Sequence, residues 1–441
     1  MEEYGGPKPV EVVTPRTQSI RRHDIDWLRV ILFGLLIWFH YAVFSLGQLE
    51  GLFNGEEERH LVILMVITVM HQWRLAALFV ISGMGTAFAF RSKSWGDYLR
   101  ERGFRLGVPL LFFTYIISAG ITDPIDTTRR FITPFPGIDE MPYGHLWFVF
   151  NLLIYSILLT PVFSRVSKDP EVGIMSLTRT LLNAPMGLGI LVIPALILAL
   201  NGFLLKPWAL GEVGMNWQFS RYLLFFLFGF LMISAKEEYF DSLDSVRVPV
   251  TVMTPVLSLV WFLSSESFGV PGVMEGGWVT EGHPAFSMAT AVASLLQSFH
   301  AWFWCLLVFS WASRLLNRPS KWLSYLNEAV YPTYIVHMHL TFLPIVILPI
   351  LGAGYYLGLT VGTAMVMVGV MVCFEVVRRA RFARPLFGIK GGREEVVKLW
   401  PYNQTEDDSL RTVLSLCFHA LSLGVVFVLY VFLISAEWIG G

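Results

Sequence analysis

The sequence predicts an all-α fold, a polytopic bundle of about ten or eleven transmembrane helices. Of its 441 residues, 55% are hydrophobic and only 15% are charged, whereas a soluble domain carries about 25% charged residues. The mean hydropathy of +0.59 is also that of a membrane protein. Apolar runs long enough to cross a bilayer as helices occur at 28–47, 61–90, 104–120, 145–164, 186–205, 219–234, 248–265, 286–313, 324–350, 352–378 and 411–436.

The runs divide the chain into a tail, a membrane domain and a C-terminal extension. Residues 1–27 form a tail that is mostly polar, contains three prolines and lacks the apolar core of a cleavable signal peptide. Residues 28–390 form the predicted membrane domain. Residues 391–441 are expected to form a cytoplasmic loop followed by an additional C-terminal transmembrane helix.

Inside the membrane domain, the runs differ in length and spacing. The runs 104–120 and 219–234 are the shortest. The runs 324–350 and 352–378 meet around Gly352 and Gly354, and glycines there are typical of a turn between two helices. We therefore expect these last two runs to form a helical hairpin.

The placement of basic residues predicts the orientation of the chain. Most of its 32 Lys and Arg residues fall in the N-terminal tail and in every second loop after it. Because cytoplasmic loops are enriched in Lys and Arg, we expect a multi-pass protein of the cell (inner) membrane with its N-terminus in the cytoplasm. The net charge of −1 gives no indication of a nucleic-acid partner.

The first span carries a polar stripe on an otherwise apolar helix. Arg29 and His40 are eleven residues apart, which brings them onto one helix face with a separation of roughly 16 Å. Asp26 lies three residues before Arg29 and is expected to neighbour it. Ionisable groups inside a membrane are usually functional, and a neutral imidazole can accept a proton from a substrate hydroxyl. The alternative is a histidine that serves only helix packing.

The second span contributes His71 and Arg74. Counted from the outer end, His71 is about 15 Å deep and Arg74 about 20 Å deep, so His71 is expected to reach the same depth as His40. Arg74 is expected in the cytosolic half of the membrane. The alternative for Arg74 is a structural ion pair with an intramembrane carboxylate.

Two arginines stand at the inner mouth of the third span. Arg102 and Arg105 are three residues apart, so in a regular helix they share a face. Two neighbouring guanidinium groups suit a phosphate or pyrophosphate. The alternative is the ordinary anchoring by basic residues that inner loops show.

The ninth span brings a further histidine to the middle of the bilayer. His337 is about 20 Å from the inner edge, with Tyr334 one turn below it and Pro332 expected to bend the helix. A polar packing seam is the alternative. None of the histidines has carboxylate partners at metal-ligand spacing, and the three cysteines follow neither a metal nor a disulfide pattern. We therefore expect no metal.

Six short motifs occur along the chain in a fixed order. The first four are Asp26-Trp-Leu-Arg29 followed by His40, Leu78-Phe-Val-Ile-Ser-Gly83, Arg102-x-x-Arg105 with Pro109, and Gly144-His-Leu-Trp-Phe148. The last two are Tyr325-Leu-Asn-Glu-Ala-Val-Tyr-Pro-Thr-Tyr-Ile-Val-His337 and Arg384-Pro-Leu-Phe-Gly-Ile-Lys390. The first four resemble motifs of the acyltransferase-3 family of membrane acyltransferases, and the last two are similar to the branch that includes the glucan-biosynthesis C-type succinyltransferases. The resemblance covers roughly 20–390.

The resemblance implies that 28–390 is a transmembrane acyltransferase domain. The family moves an acyl group from a cytosolic acyl-CoA to a carbohydrate or similar acceptor. The resemblance further implies that His40 is catalytic, that Arg102 and Arg105 contact the donor, and that Arg29 is the basic member of the first motif. The family core usually has ten spans, so the run 411–436 is additional.

Together these observations predict an O-acyltransferase that uses acyl-CoA, either acetyl-CoA or succinyl-CoA, without a metal. His40 is expected to act as general base, with His337 or His71 pairing with it or binding the acceptor. The alternative to this direct transfer is a relay in which a histidine first takes the acyl group and then passes it to the acceptor. The arginines expected to hold the CoA phosphates are Arg29, Arg74, Arg102 and Arg105.

Two other classes of protein are compatible with parts of the sequence. Polar residues at mid-membrane depth and kinked helices also suit a secondary transporter or flippase, although no internal repeat is evident. A non-catalytic membrane scaffold would leave Arg29 and His40 without a purpose. The expected partners of the acyltransferase are acyl-CoA, a carbohydrate or other hydroxyl acceptor and the lipid bilayer, with no prediction for the oligomeric state.

Overall fold

The computed structural model describes residues 22–52, 61–91, 93–117, 144–205, 217–267, 286–380 and 382–389. Within these ranges the chain is helical and contains no strand, which confirms the all-α prediction. The α-helices are α1 (His23–Leu52), α2 (Leu61–Phe90), α3 (Trp95–Arg102), α4 (Val108–Phe112), α5 (Trp147–Lys168), α6 (Gly173–Leu182), α7 (Leu188–Leu205), α8 (Trp217–Ser234), α9 (Lys236–Ser267), α10 (Met288–Leu315), α11 (Lys321–Ile350), α12 (Tyr355–Arg379) and α13 (Ala383–Leu386).

Eight helices of the described chain are long and apolar enough to cross a membrane, namely α1, α2, α5, α7, α9, α10, α11 and α12. The predicted run 219–234 corresponds to the shorter apolar helix α8. The predicted hairpin is present, because α11 and α12 pack together and Gly352 lies in the turn with a φ of 73°. The described residues thus support a multi-pass bundle, and the additional span 411–436 lies outside them.

The predicted run 104–120 is not a regular helix. Two π-helical segments, Gly103–Gly107 and Phe113–Ile117, flank α4. Pro109 has no backbone N–H, so the carbonyl of Arg105 loses its usual α-helical partner, and a wider π turn accommodates that loss. Such segments often occur at functional sites.

The centre of the bundle is α2, which crosses α8 at very close range. A Cβ atom added at Gly83 would overlap the carbonyl oxygen of Phe226, and one added at Gly229 would overlap that of Val80. Small residues allow helices in membranes to approach this closely. The crossing fixes the rotation of α2 and therefore the direction in which its polar side chains point.

Helix α1 packs between α2 and α11. Phe33 of α1 makes an edge contact with Tyr334 of α11, with ring centroids 5.6 Å apart. The hydroxyl of Tyr41 donates a hydrogen bond to the carbonyl of Gly358 in α12 at 3.1 Å. These contacts hold the polar stripe of α1 toward α2 and α11.

Methyl groups at the α2–α8 crossing are expected to destabilise the protein. Gly83→Ala or Gly229→Ala would place a carbon atom against rigid backbone, and overpacking of this kind costs about 1–3 kcal/mol. The unfolding temperature of the detergent-solubilised protein should fall for both variants. Gly358→Ala is the matched control, since no atom lies within 4 Å of the added carbon; equal stability of all three would contradict this packing.

Candidate active site

Two histidines from different helices form the centre of the candidate site. His40 of α1 and His337 of α11 are joined through His40 Nδ1 and His337 Nε2, which are 2.9 Å apart. Their rings are stacked with centroids at 5.0 Å. His337 is fully buried, whereas His40 is partly exposed. Of the two histidines expected to pair with His40, the structure brings His337 into contact.

The backbone of α11 determines which nitrogen atoms carry protons in this pair. His337 Nδ1 lies 2.6 Å from the carbonyl oxygen of Tyr334. A carbonyl only accepts, so Nδ1 must donate and Nε2 of the neutral ring must accept. His40 Nδ1–H is then the donor to His337. The lone pair of His40 Nε2 is left for chemistry.

His145 joins the same cluster, although spacing in the sequence gave no reason to select it. It precedes α5 in a 3₁₀ turn, Gly144–Leu146, and its Nε2–H donates to the carbonyl of Ile335 at 3.1 Å. The hydroxyl of Tyr334 donates to the carbonyl of His145 itself. The ring of His145 is 5.3 Å from that of His337. The motif Gly144–Phe148 was the available signal for this residue.

His71 and Arg74 of α2 meet at the ring of Phe39, one residue before His40. His71 stacks on Phe39 at 5.5 Å between centroids, and the guanidinium carbon of Arg74 lies 3.9 Å from the Phe39 centroid. His71 therefore reaches the depth of His40 without bonding to it. Within the described residues Arg74 forms no ion pair with a carboxylate, so the structural ion pair considered above is not present there.

Arg29 and Arg102 converge on one turn of α2, at Gly85 and Thr86. Nη2 of Arg29 lies 3.5 Å from the position of a Cβ atom on Gly85. Nη2 of Arg102 donates to Oγ1 of Thr86 at 3.2 Å. Oδ1 of Asp26 lies 3.7 Å from Nη1 of Arg29, as the three-residue spacing predicted. Two guanidinium groups from different helices are thus brought to one place.

Arg105 faces the same region from the π-helical turn. Its side chain is 45% exposed, and Nη1 lies 3.9 Å from the carboxylate of Glu101. The hydroxyl of Tyr331 is close enough to interact electrostatically with both Arg102 and Arg105. The π-helical turn is wider than the regular helix that we expected. Arg102 and Arg105 nevertheless lie in the same region, near Tyr331.

Two polar side chains of α11 lack hydrogen-bond partners within the described structure, and one of them, Tyr331, lies near these arginines. The hydroxyl of Tyr331 is buried and makes no hydrogen bond. The same holds for both amide atoms of Asn327, which lies one turn earlier on the helix. Gly388 provides space for the ring of Tyr331, because a side chain at this position, with its φ of 68°, would overlap that ring. Unsatisfied buried groups are costly, and a ligand rich in acceptors would satisfy them.

The structure separates the four predicted donor-site arginines into two groups. Arg74 lies twelve residues before Thr86 on α2, a separation of about 18 Å along the helix. Arg29, Arg102 and Arg105 lie at the Thr86 end. Arg74 lies beside the histidines, about 18 Å from Thr86 along α2.

Among the described residues, no group of three or more His, Cys, Asp or Glu side chains is arranged to hold a metal ion.

Comparison with known proteins identifies the family. Residues 22–377 match the family model Acyl_transf_3, described as an acyltransferase domain. The chain is 22% identical over 390 residues to Glucans biosynthesis protein C of Escherichia coli O81 (strain ED1a), covering 84% of this chain and 95% of that protein. The same values hold for Glucans biosynthesis protein C of Escherichia coli K12 and O157:H7. No solved structure matches. The chain therefore belongs to the acyltransferase-3 family and is a membrane acyltransferase.

Proposed function

We propose that this protein transfers an acetyl or succinyl group from cytosolic acyl-CoA to a hydroxyl group of a carbohydrate or similar acceptor. The observation that carries the proposal is the hydrogen-bonded pair of His40 and His337, in which the Nε2 lone pair of His40 remains available. Arginine side chains gather at a separate place, where Arg102 bonds to Thr86 of α2. The name of the relatives, which refers to glucans, supports a carbohydrate acceptor. The protein would be a multi-pass protein of the inner membrane with its N-terminus in the cytoplasm, which the distribution of Lys and Arg residues supports.

The donor phosphates are assigned to the arginine end. Arg29, Arg102 and Arg105 supply guanidinium groups, which bind phosphate oxygens through paired hydrogen bonds. The Tyr331 hydroxyl and the Asn327 amide would find their missing partners in the same phosphates. Arg29 and Arg105 are partly exposed, 31% and 45%, so this end of the site lies open at the surface of the described structure, as binding of a donor from outside the bundle requires.

The acyl end of the donor is assigned to the histidines. Arg29 and His40 are separated by roughly 16 Å along α1, so an extended arm is needed between the phosphates and the thioester. Acyl-CoA has such an arm. This arrangement holds the thioester beside His40 and supplies the rate gain that comes from proximity.

In the proposed reaction His40 is the general base. His40 Nε2 removes the proton of the acceptor hydroxyl while the hydroxyl oxygen attacks the thioester carbonyl carbon. The tetrahedral intermediate collapses, the carbon–sulfur bond breaks, and the departing CoA thiolate takes the proton back from His40. His337 accepts the hydrogen bond of His40 Nδ1–H throughout, which stabilises the imidazolium. An acyl-histidine relay would use the same lone pair as nucleophile.

Replacement of His40 tests the base. His40→Ala should insert and fold normally, while the turnover number falls roughly 10²–10⁴-fold because general base catalysis is lost. Release of free CoA thiol by purified protein measures this. His300→Gln is the control, since His300 is another histidine inside an apolar helix but packs on Trp261, away from the cluster. Normal transfer by His40→Ala would refute the assignment.

Replacement of His337 tests the fixed tautomer. Without the acceptor at His337 Nε2, His40 loses its orientation, so His337→Phe should lower the turnover number at least about tenfold with the KM for acyl-CoA unchanged. His339→Phe provides a comparison on the same helix, two residues away. A loss that appears in the donor KM alone would contradict the role of His337 in chemistry.

Replacement of Tyr331 tests the donor site. A hydrogen bond to a charged group is worth about 1.5–3 kcal/mol, so Tyr331→Phe should weaken acyl-CoA binding roughly 10–100-fold. Its unliganded stability should not fall, because the hydroxyl has no partner there. Tyr325→Phe is the control, since that hydroxyl already donates to Glu375.

A pantetheine thioester, which lacks the nucleotide phosphates, sharpens this test. Wild-type and Tyr331→Phe proteins should use that donor equally well, because no phosphate is present for Tyr331 to bind. If Tyr331→Phe instead impairs both donors to the same extent, Tyr331 acts through the structure of α11 and not through the phosphates.

A further inference from the structure

Arg74 is a fully buried cation without a counterion in the described structure. Its exposed fraction is 0%, and its Nε and Nη1 atoms are buried and make no hydrogen bond. The carboxylates that form ion pairs in the described residues pair with other arginine or lysine side chains, for example Asp26 with Arg29 and Glu101 with Arg105. A buried guanidinium group left without an acceptor is strongly unfavourable. An anionic acceptor placed against Arg74 would relieve this cost.

The neighbours of Arg74 do not neutralise it. The ring of Phe39 offers a cation–π contact at 3.9 Å, which compensates a buried charge only in part. A second cation, Arg221 of α8, is 3% exposed, and both guanidinium groups interact electrostatically with the hydroxyl of Tyr222. His71 interacts with both arginines as well. Positive charge is thus concentrated around Arg74, which favours an anion.

The position of Arg74 identifies which part of a substrate it would meet. It lies against Phe39, whose ring is 5.6 Å from that of His40, and it interacts electrostatically with His40. Arg29 and Arg102 are about 18 Å away along α2. Arg74 is therefore too remote to bind the donor phosphates assigned to Arg29 and Arg102. It lies where the proposed function puts the thioester of the donor.

We propose that Arg74 binds an anionic oxygen at the acyl end of the donor. This inference rests on the proposed function. Two sources of such an oxygen are chemically equivalent for a guanidinium fork. One is the carbonyl oxygen of the thioester, which becomes an oxyanion when the acceptor attacks. The other is the terminal carboxylate of a dicarboxylic acyl group.

Kinetics of Arg74→Met and Arg74→Lys with acetyl-CoA and succinyl-CoA test the site. If Arg74 stabilises the oxyanion, Arg74→Met should lower the turnover number about 10²–10³-fold with both donors and leave both KM values unchanged. If Arg74 binds a terminal carboxylate, the loss should be confined to succinyl-CoA. In either case Arg74→Lys, which keeps the charge but not the fork, should retain an intermediate activity.

Gln72→Met is the matched control, because Gln72 is also buried on α2, two residues before Arg74, but is uncharged and accepts a hydrogen bond from Gln297 of α10. Equal losses in Arg74→Met and Gln72→Met would indicate a general structural effect and overturn the proposal. If Arg74→Met does not fold, Arg74→Lys decides: wild-type kinetics with both donors would overturn the anion site.

Failure of the proposed function can be distinguished from failure of the anion site alone. If the wild-type protein transfers no acyl group from either donor, and so behaves like His40→Ala, the proposed function is overturned and the anion site with it. Activity that is lost in His40→Ala but unchanged in Arg74→Met and Arg74→Lys would overturn the anion site alone.

Discussion

The hydrogen bond between His40 and His337 is the interaction on which the candidate site depends. Its direction is set by a backbone carbonyl, that of Tyr334, which can only accept. A side-chain partner could rotate or change its protonation state, but this carbonyl is fixed by the helix. Because His337 is fully buried, breaking the pair would strand a polar nitrogen away from water. The bond therefore specifies both the chemistry of His40 and the register of α1 against α11.

Packing around the pair consists of rigid contacts. Phe33, Phe148 and Tyr334 form a triangle of ring contacts with centroids 5.6–6.4 Å apart, which joins α1, α5 and α11 beside His337. The close crossing at Gly83 and Gly229 fixes α2 on the opposite side. A helix that is held on several faces presents its polar groups at fixed positions, as a catalytic arrangement requires.

Helix periodicity and depth predicted part of this site, since residues on one helix obey fixed geometry. The shared helix face of Arg29 and His40 and the nearby Asp26 follow from residue spacing, and the similar distances of His40 and His337 from the inner ends of their spans made a contact between them possible. Which helices become neighbours does not follow from spacing, so the place of His145 in the cluster and the contact of Arg74 with Phe39 could not be predicted. The π-helical turn after Arg102 was equally hidden, although Pro109 signalled an interrupted hydrogen-bond ladder.

The two groups of arginines differ in exposure, and this difference is consistent with the separate roles proposed for them. Arg29 and Arg105 are partly exposed, and each lies near a carboxylate, Asp26 or Glu101, that offsets part of its charge. Arg74 is fully buried and has no such carboxylate within the described residues. An anion placed against it interacts in a low-dielectric environment, where electrostatic interactions are much stronger than in water. A site of this kind contributes little to capture of the donor from solution and most at the point where negative charge appears beside His40.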